Sequence, residues 1–418
     1  MSKKLNLLVV GSGGREHAIC KSFNESQNVA NVYCAPGNSG MVSTGINTVD
    51  ISELNFKDLA DFAVENQIDW TFVGPENALV AGITDYFRER KLAIFGPNKF
   101  AAQLEGSKDF ALKFMVKHNI PTADYQTFQS TAEAISALAD FSVPIVVKAD
   151  GLAAGKGVTI AGSKADAQNV IGEMLANGEH QIVLEEFLTG PEYSLFVVVN
   201  GTDFQILPMA QDHKRAYDDD EGPNTGGMGA YSPVPQLSKK DYQEMISKIV
   251  EPSINGLNKD GFDYHGILYI GLILTDHGPK AIEYNVRLGD PETQVVLPRL
   301  KTDFAEVIDN CINDIKMKQL EIDSQACLGI VLAAKGYPHA PVKGQLLPDF
   351  GKRLGISIDY ANVTAKDNRL YGNGGRILSV VALQDTLSNA QIKAYEYIDS
   401  LDFTDCYYRK DIGKKALE

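Results

Sequence analysis

The segment Ile145-Val-Val-Lys-Ala-Asp-Gly-Leu-Ala-Ala-Gly-Lys-Gly157 constrains this chain more than any other. Its apolar run predicts a buried strand, which delivers Lys148 and then a glycine-rich turn with a second lysine, Lys156. Small residues let backbone N–H groups approach anionic oxygens, and the lysines add point charges, so the segment reads as a phosphate cradle. It is not a Walker A loop: three residues separate Gly151 from Gly155, and Gly157 stands where Ser or Thr would follow the lysine. A nucleotide is expected, held by another fold.

A flexible surface loop would share that composition, and a second segment decides between the two. Lys280-Ala-Ile-Glu-Tyr-Asn-Val-Arg-Leu-Gly-Asp-Pro-Glu292 reads as a strand running into a polar turn. Side chains alternate along a strand, so Glu283, Asn285 and Arg287 share a face opposite Ile282, Tyr284, Val286 and Leu288. A carboxylate beside an amide oxygen suits a hard cation such as Mg²⁺, which takes its remaining ligands from water and nucleotide phosphates. Arg287 suits an anion next to it.

A chain of 418 residues exceeds one ordinary core and predicts about three domains. Its formal charge of −15, with no basic block, argues against nucleic acid as a partner. Cys20, Cys34, Cys311, Cys327 and Cys406 form no C-x-x-C pair and read as reduced thiols of a cytoplasmic protein. The opening apolar run stops at Gly11 and is expected to be a buried strand, not a leader. No stretch reaches the roughly 18 apolar residues of a membrane span.

Apolar runs and helical patterns alternate over 5–10, 15–28, 32–34, 56–65 and 70–73, which predicts a parallel α/β unit. The loops Gly11-Ser-Gly-Gly-Arg-Glu-His17, Ala35-Pro-Gly-Asn-Ser-Gly40 and Gly74-Pro-Glu-Asn77 then fall at the carboxyl ends of strands, where open parallel sheets bind ligands. A dinucleotide is not expected, because Glu16 replaces the third glycine of G-x-G-x-x-G and no acidic residue closes the second strand at Cys34. Arg15 and the helix N-terminus are left to hold a phosphate. Further strands, besides the one that begins at Ile145, are expected over 181–188, 193–199, 266–274, 280–286, 329–334 and 373–381, the last two in a small α+β domain. The polar segment 212–233 reads as a long functional loop, and its acidic run 218–221 as a solvated turn. His17, His213 and His265 read as hydrogen-bonded structural histidines, and Trp70 as core.

Taken with Gln103-Leu-Glu-Gly-Ser-Lys108, Glu185-Glu-Phe-Leu188, Gly222-Pro-Asn-Thr-Gly-Gly-Met-Gly-Ala230, Gly289-Asp-Pro-Glu-Thr293 and Arg409-Lys-Asp-Ile-Gly413, these segments closely resemble the glycinamide ribonucleotide synthetase family of the ATP-grasp superfamily, over nearly the whole chain. The resemblance implies a preATP-grasp parallel α/β domain (1–102), a split ATP-grasp centre (103–325, with a lid at about 124–192) and a small C-terminal α+β domain (326–418). It implies ligation of glycine to 5-phosphoribosylamine through a glycyl phosphate, with ATP and Mg²⁺ or Mn²⁺. By the same likeness Lys108, Lys148, Gly155, Lys156 and Gly157 meet ATP phosphates. Glu185, Glu186, Phe187 and Leu188 edge the adenine, and Glu192 meets the ribose. Glu283 and Asn285 hold the metal, and Arg287, Asp290 and Asp212 serve the reacting groups. Gly11, Gly13, Gly14, Arg15, Pro36, Gly37, Asn38, Gly74, Pro75 and Glu76 are the candidates for the phosphoribosylamine side. The oligomeric state stays open, a monomer being one reading. A related ATP-grasp ligase or carboxylase acting on another small acid would share the cradle and the metal pair. The segments 222–230 and 289–293 distinguish the two. Shortened turns before Asp212 and at His180 depart from the family pattern and bear on the backbone contacts around Asp212.

Overall fold

The computed structural model describes residues 3–152 and 157–417. Strands β1 (Leu5–Gly11), β2 (Val29–Pro36), β3 (Asn47–Thr48), β4 (Trp70–Val73) and β5 (Ile94–Phe95) form a parallel sheet in the order β3-β2-β1-β4-β5. Buried on both faces, β1 and β4 show the continuous apolar runs such a sheet requires. Helix α1 (Gly14–Asn24) starts after an extended Gly13, and Glu16 in its first turn reaches back to the Gly13 N–H. On its inner face Phe23 meets Trp70 edge-on at 5.2 Å and stacks on Phe304 at 5.6 Å. Each such ring contributes roughly 1.5–3 kcal/mol on burial. Trp70 is core, as expected, and its indole N–H donates to Asp309.

The next strands, β6 (Tyr125–Phe128), β7 (Ile145–Ala149), β8 (Val158–Ala161) and β9 (Ile182–Glu186), make an antiparallel sheet in the order β6-β9-β7-β8. It has a small core of its own around Ile145, Val147, Ile171, Ile182 and Leu184, so it forms a separate body beside the rest. The central sheet uses β10 (Glu192–Asn200) and β11 (Asp203–Ile206). After the short strands β12 (Gln211–Asp212), β13 (Arg215–Tyr217), β14 (Glu221–Asn224) and β15 (Gly229–Ser232), it adds β16 (His265–Thr275) and β17 (Gly278–Asn285). One apolar core joins this sheet to the parallel one.

Strands β18 (Ala326–Ala334), β19 (Gln345–Leu346), β20 (Ile356–Tyr360), β21 (Val363–Lys366), β22 (Arg369–Gly372), β23 (Arg376–Gln384) and β24 (Cys406–Tyr407) follow. β19, β22 and β21 form a small sheet, and β18, β23 and β20 extend β12 and β15 into a larger one. Here the expectation of a loop over 212–233 is overturned. β15 is buried at every residue and pairs with β18 from Gly229–Ile330 to Ser232–Cys327. Its polar neighbours are satisfied by partners far along the chain, so no local period announces it. We propose 1–102, 103–325 and 326–418 as the domain division, with β12 and β15 of the second domain joining the sheet of the third. Among the described residues, no helix is long and apolar enough to cross a membrane.

Candidate active site

Three loops meet at the carboxyl ends of β1, β2 and β4. Gly11 lies at φ +126°, and its carbonyl accepts from Gly37 N at 3.0 Å. Pro36 ends β2. The Asn38 amide donates to the Ser12 carbonyl at 2.8 Å and to the Tyr360 carbonyl at 3.0 Å. Gly74 is followed by Pro75 and by a helix that begins at Glu76. Glu16 organises this cluster: Oε2 accepts from Gly13 N at 2.7 Å, and Oε1 from Arg15 Nε at 2.5 Å. A Cβ on Gly11 would lie 2.5 Å from Glu16 Cγ, one on Gly74 would collide with Glu16 Oε1, and one on Gly14 would come within 2.9 Å of Gln294. Glycine is therefore required to make room for the carboxylate. At the N-terminus of α1, where a phosphate is expected, the Gly13 N–H is given to Glu16.

Arg287 stands at the junction of these loops with the central sheet. Its Nε pairs with Glu76 at 3.1 Å, and Nη2 with Glu105 at 2.8 Å and with the Asn285 amide oxygen at 3.2 Å. Arg15 donates to the Leu288 carbonyl at 3.1 Å and lies 3.8 Å from Glu76. Burial alone would raise the Glu76 pKa, but the two guanidinium groups outweigh it and hold the carboxyl at about 2. Burial lifts Glu105, which also accepts from Val286 N, to about 7 against the pull of Arg287.

Lys108 and Lys148 lie near each other and near Glu185 and Glu283. Lys148 is buried and pairs with Glu185 at 2.6 Å. Lys108 Nζ donates to the Gly151 carbonyl at 2.8 Å, while the Lys108 N–H donates to Asp150 at 2.6 Å. Burial lowers the Lys108 pKa, with Glu283 the largest opposing influence, so Glu283 and the two lysines share one field. The Asn285 amide nitrogen lies 3.3 Å from Glu283 Oε1, as the shared face predicts. Gly157 accepts from Ala149 N, while Gly155 and Lys156 lie outside the described residues. Phe187 and Leu188 follow β9 and are half-buried; Glu186 instead turns outward to Lys280 at 3.1 Å.

Asp212 and Glu192 are bridged by Lys214, at 2.7 and 3.4 Å. Desolvation opposes the Lys214 charge, but Asp212, Tyr269, Glu192 and Glu292 together raise its pKa well above the ordinary value. Asp290 Oδ2 pairs with Arg376 at 2.9 Å and Oδ1 accepts from Gln294 at 2.7 Å. Arg376 Nη1 donates to the carbonyls of Gly226 and Asp290, both at 2.6 Å, tying the 222–230 and 289–293 segments together. Sequence reasoning assigned no role to Glu16, Glu105, Lys214 or Arg376. Each stands inside or beside a quoted motif, but its partner lies elsewhere in the fold. The histidines are hydrogen-bonded, His17 accepting from Tyr360 N at 2.8 Å and His265 contacting Asn200 at 2.7 Å. The acidic run stands as the expected exposed turn, with residues 218–221 all exposed, and Arg409 and Lys415 pair with Asp220 at 2.9 and 2.5 Å.

Family models described as phosphoribosylglycinamide synthetase match this chain over residues 5–105 (N domain), 106–293 (ATP-grasp domain) and 327–415 (C domain). A phosphoribosylamine-glycine ligase of Lactococcus lactis is 48% identical over 99% of this chain and 100% of its own length, and one of Streptococcus suis matches equally. The crystal structure of the Thermotoga maritima phosphoribosylamine-glycine ligase superposes with a TM-score of 0.85 at 37% identity, covering 98% of this chain and 100% of that one. A biotin carboxylase domain of Hydrogenobacter thermophilus, at TM-score 0.75 and 14% identity, covers 98% of this chain and 92% of its own and shares the fold alone. With these matches along the whole length, the chain belongs to the phosphoribosylglycinamide synthetase family.

Proposed function

We infer that this chain ligates glycine to 5-phosphoribosylamine at the expense of ATP, giving glycinamide ribonucleotide, ADP and phosphate in purine biosynthesis. The observation that carries the conclusion is the full-length 48% identity to phosphoribosylamine-glycine ligases. A carboxylase acting on another small acid is not favoured, since the carboxylase likeness stops at the fold.

The chemistry requires activation, because a carboxylate is anionic and its oxygen leaves poorly. Transfer of the γ-phosphoryl group to the glycine carboxylate makes an acyl phosphate, and the amine then displaces phosphate from it. In the proposed assignment Lys108, Lys148 and residues 155–157 receive the ATP phosphates, and 185–188 with Glu192 receive adenine and ribose. An all-oxygen pair beside two lysines fits a hard divalent cation. Held by Glu283 and Asn285, such an ion, Mg²⁺ or Mn²⁺, would neutralise phosphate charge. Arg287, already poised between carboxylates, is assigned to the acyl phosphate. Asp212 and Asp290 are assigned to the amino acid and the amine, and the 11–15, 36–38 and 74–76 loops to phosphoribosylamine. Five unpaired cysteines support a proposed cytoplasmic location.

Glycine carrying heavy oxygen in its carboxylate tests the chemistry. Turnover with phosphoribosylamine should place one labelled oxygen in the released phosphate. Unlabelled phosphate would rule out the acyl phosphate route.

A further inference from the structure

The segment Arg409-Lys-Asp-Ile-Gly413 has no part in the chemistry above, yet Arg409 is 1% exposed and among the largest buried side chains. A guanidinium is costly to bury unless its donors are matched. Here they are: Nε and Nη2 donate to the Asp411 carboxylate at 2.7 and 2.6 Å, and Nη1 to Asp220 at 2.9 Å and the Arg215 carbonyl at 3.0 Å. Around this fork, Lys410 N donates to Asp218 at 2.7 Å and Asp411 accepts from Asp219 N at 2.9 Å. Gly413 N donates to His213 Nε2 at 3.4 Å.

These contacts land on 213–220, the continuation of the strand that carries Asp212. Extended chain alternates its side chains. Asp212 and Lys214 point to one side, where they pair at 2.7 Å and where Lys214 reaches Glu192. His213, 1% exposed, points to the other side, against Gly413. One face of this short strand therefore belongs to the reactant site and the opposite face to the C-terminal segment.

We propose that Arg409 and the segment through Gly413 form a positioning clamp. By holding the Arg215 carbonyl, Asp220 and His213, the clamp fixes where Asp212 and Lys214 stand toward the amino acid and amine. The proposal rests on the reading that Asp212 serves that site, so Asp212→Asn is the reference variant.

The test compares full-length Arg409→Lys and Asp411→Asn with Asp212→Asn and with the Arg409→Lys/Asp212→Asn double variant. ATP, glycine and phosphoribosylamine are each varied, and thermal midpoints are measured alongside. The clamp predicts that Arg409→Lys and the milder Asp411→Asn lower kcat/KM for glycine by about tenfold or more while the KM for ATP moves less than about twofold. Adding Arg409→Lys to Asp212→Asn should then cost several-fold less than it costs the wild type, because the clamp acts through the same strand. Losses that are additive, equal for ATP and glycine, or proportional to the fall in thermal midpoint would overturn the clamp. A damaging Asp212→Asn with silent clamp variants would overturn the clamp alone, whereas a silent Asp212→Asn would overturn both it and the site reading beneath it.

Discussion

Arg287 shows how one residue concentrates the electrostatics of the site. Glu76, Glu105 and the Asn285 amide oxygen surround it, so its charge is matched on several sides before any anion arrives. The Glu76 carboxyl, ordinarily near 4.5, is held at about 2 in the fold. A folded pKa below the unfolded one means that the charged form stabilises the fold. That contribution is complete above about pH 4.5 and is lost as the pH falls toward 2. The shift corresponds to about 3 kcal/mol. Glu76→Gln should therefore lower the denaturation midpoint markedly at pH 7, and the gap to wild type should close as both are titrated below pH 4.5. A gap that stays constant through that range would mean Glu76 is not the paired carboxylate described. The alternation along β17 made Glu283, Asn285 and Arg287 legible as one face. It could not reveal Glu105, whose partner stands 182 residues later and whose own helix gives no sign of an inward carboxylate.

At the scale of elements, the local patterns were faithful where the buried surface was continuous. The expected helix at 56–65 and strand at 70–73 stand at those residues, and the apolar strand expected from Ile145 to deliver Lys148 is β7. They failed at 212–233, where four strands of two to four residues are too short to show a period and pair with one another or, for β15, with the distant β18. The glycine-rich loops were legible as loops but not as a frame around Glu16. Gly74→Ala tests that frame, because its methyl group would displace the Glu16 carboxylate from Gly13 N and Arg15. Steric displacement of this kind costs about 1–3 kcal/mol, and the expected result is a KM for phosphoribosylamine raised about tenfold with the KM for ATP little changed. Equal KM values for mutant and wild type would show that the loop tolerates the methyl group and that Glu16 does not order it for substrate.

For the whole molecule, the arrangement of four sheets around the site explains why the chain must be this long. The lid sheet brings Lys148, the central sheet Glu283 and Asn285, the parallel sheet the glycine-rich loops, and the C-terminal sheet Arg376, so no segment alone completes the site. The motifs were readable because each is local, whereas their meeting is a property of the fold. The measurement that tests the central claim most directly is ADP release by the purified protein. It would use Mg²⁺, ATP, glycine and phosphoribosylamine generated in place from ammonia and ribose 5-phosphate, with each substrate omitted in turn. Sustained release that requires both glycine and phosphoribosylamine is the predicted result. Release that persists without either, or that appears only with bicarbonate, would contradict the ligase account.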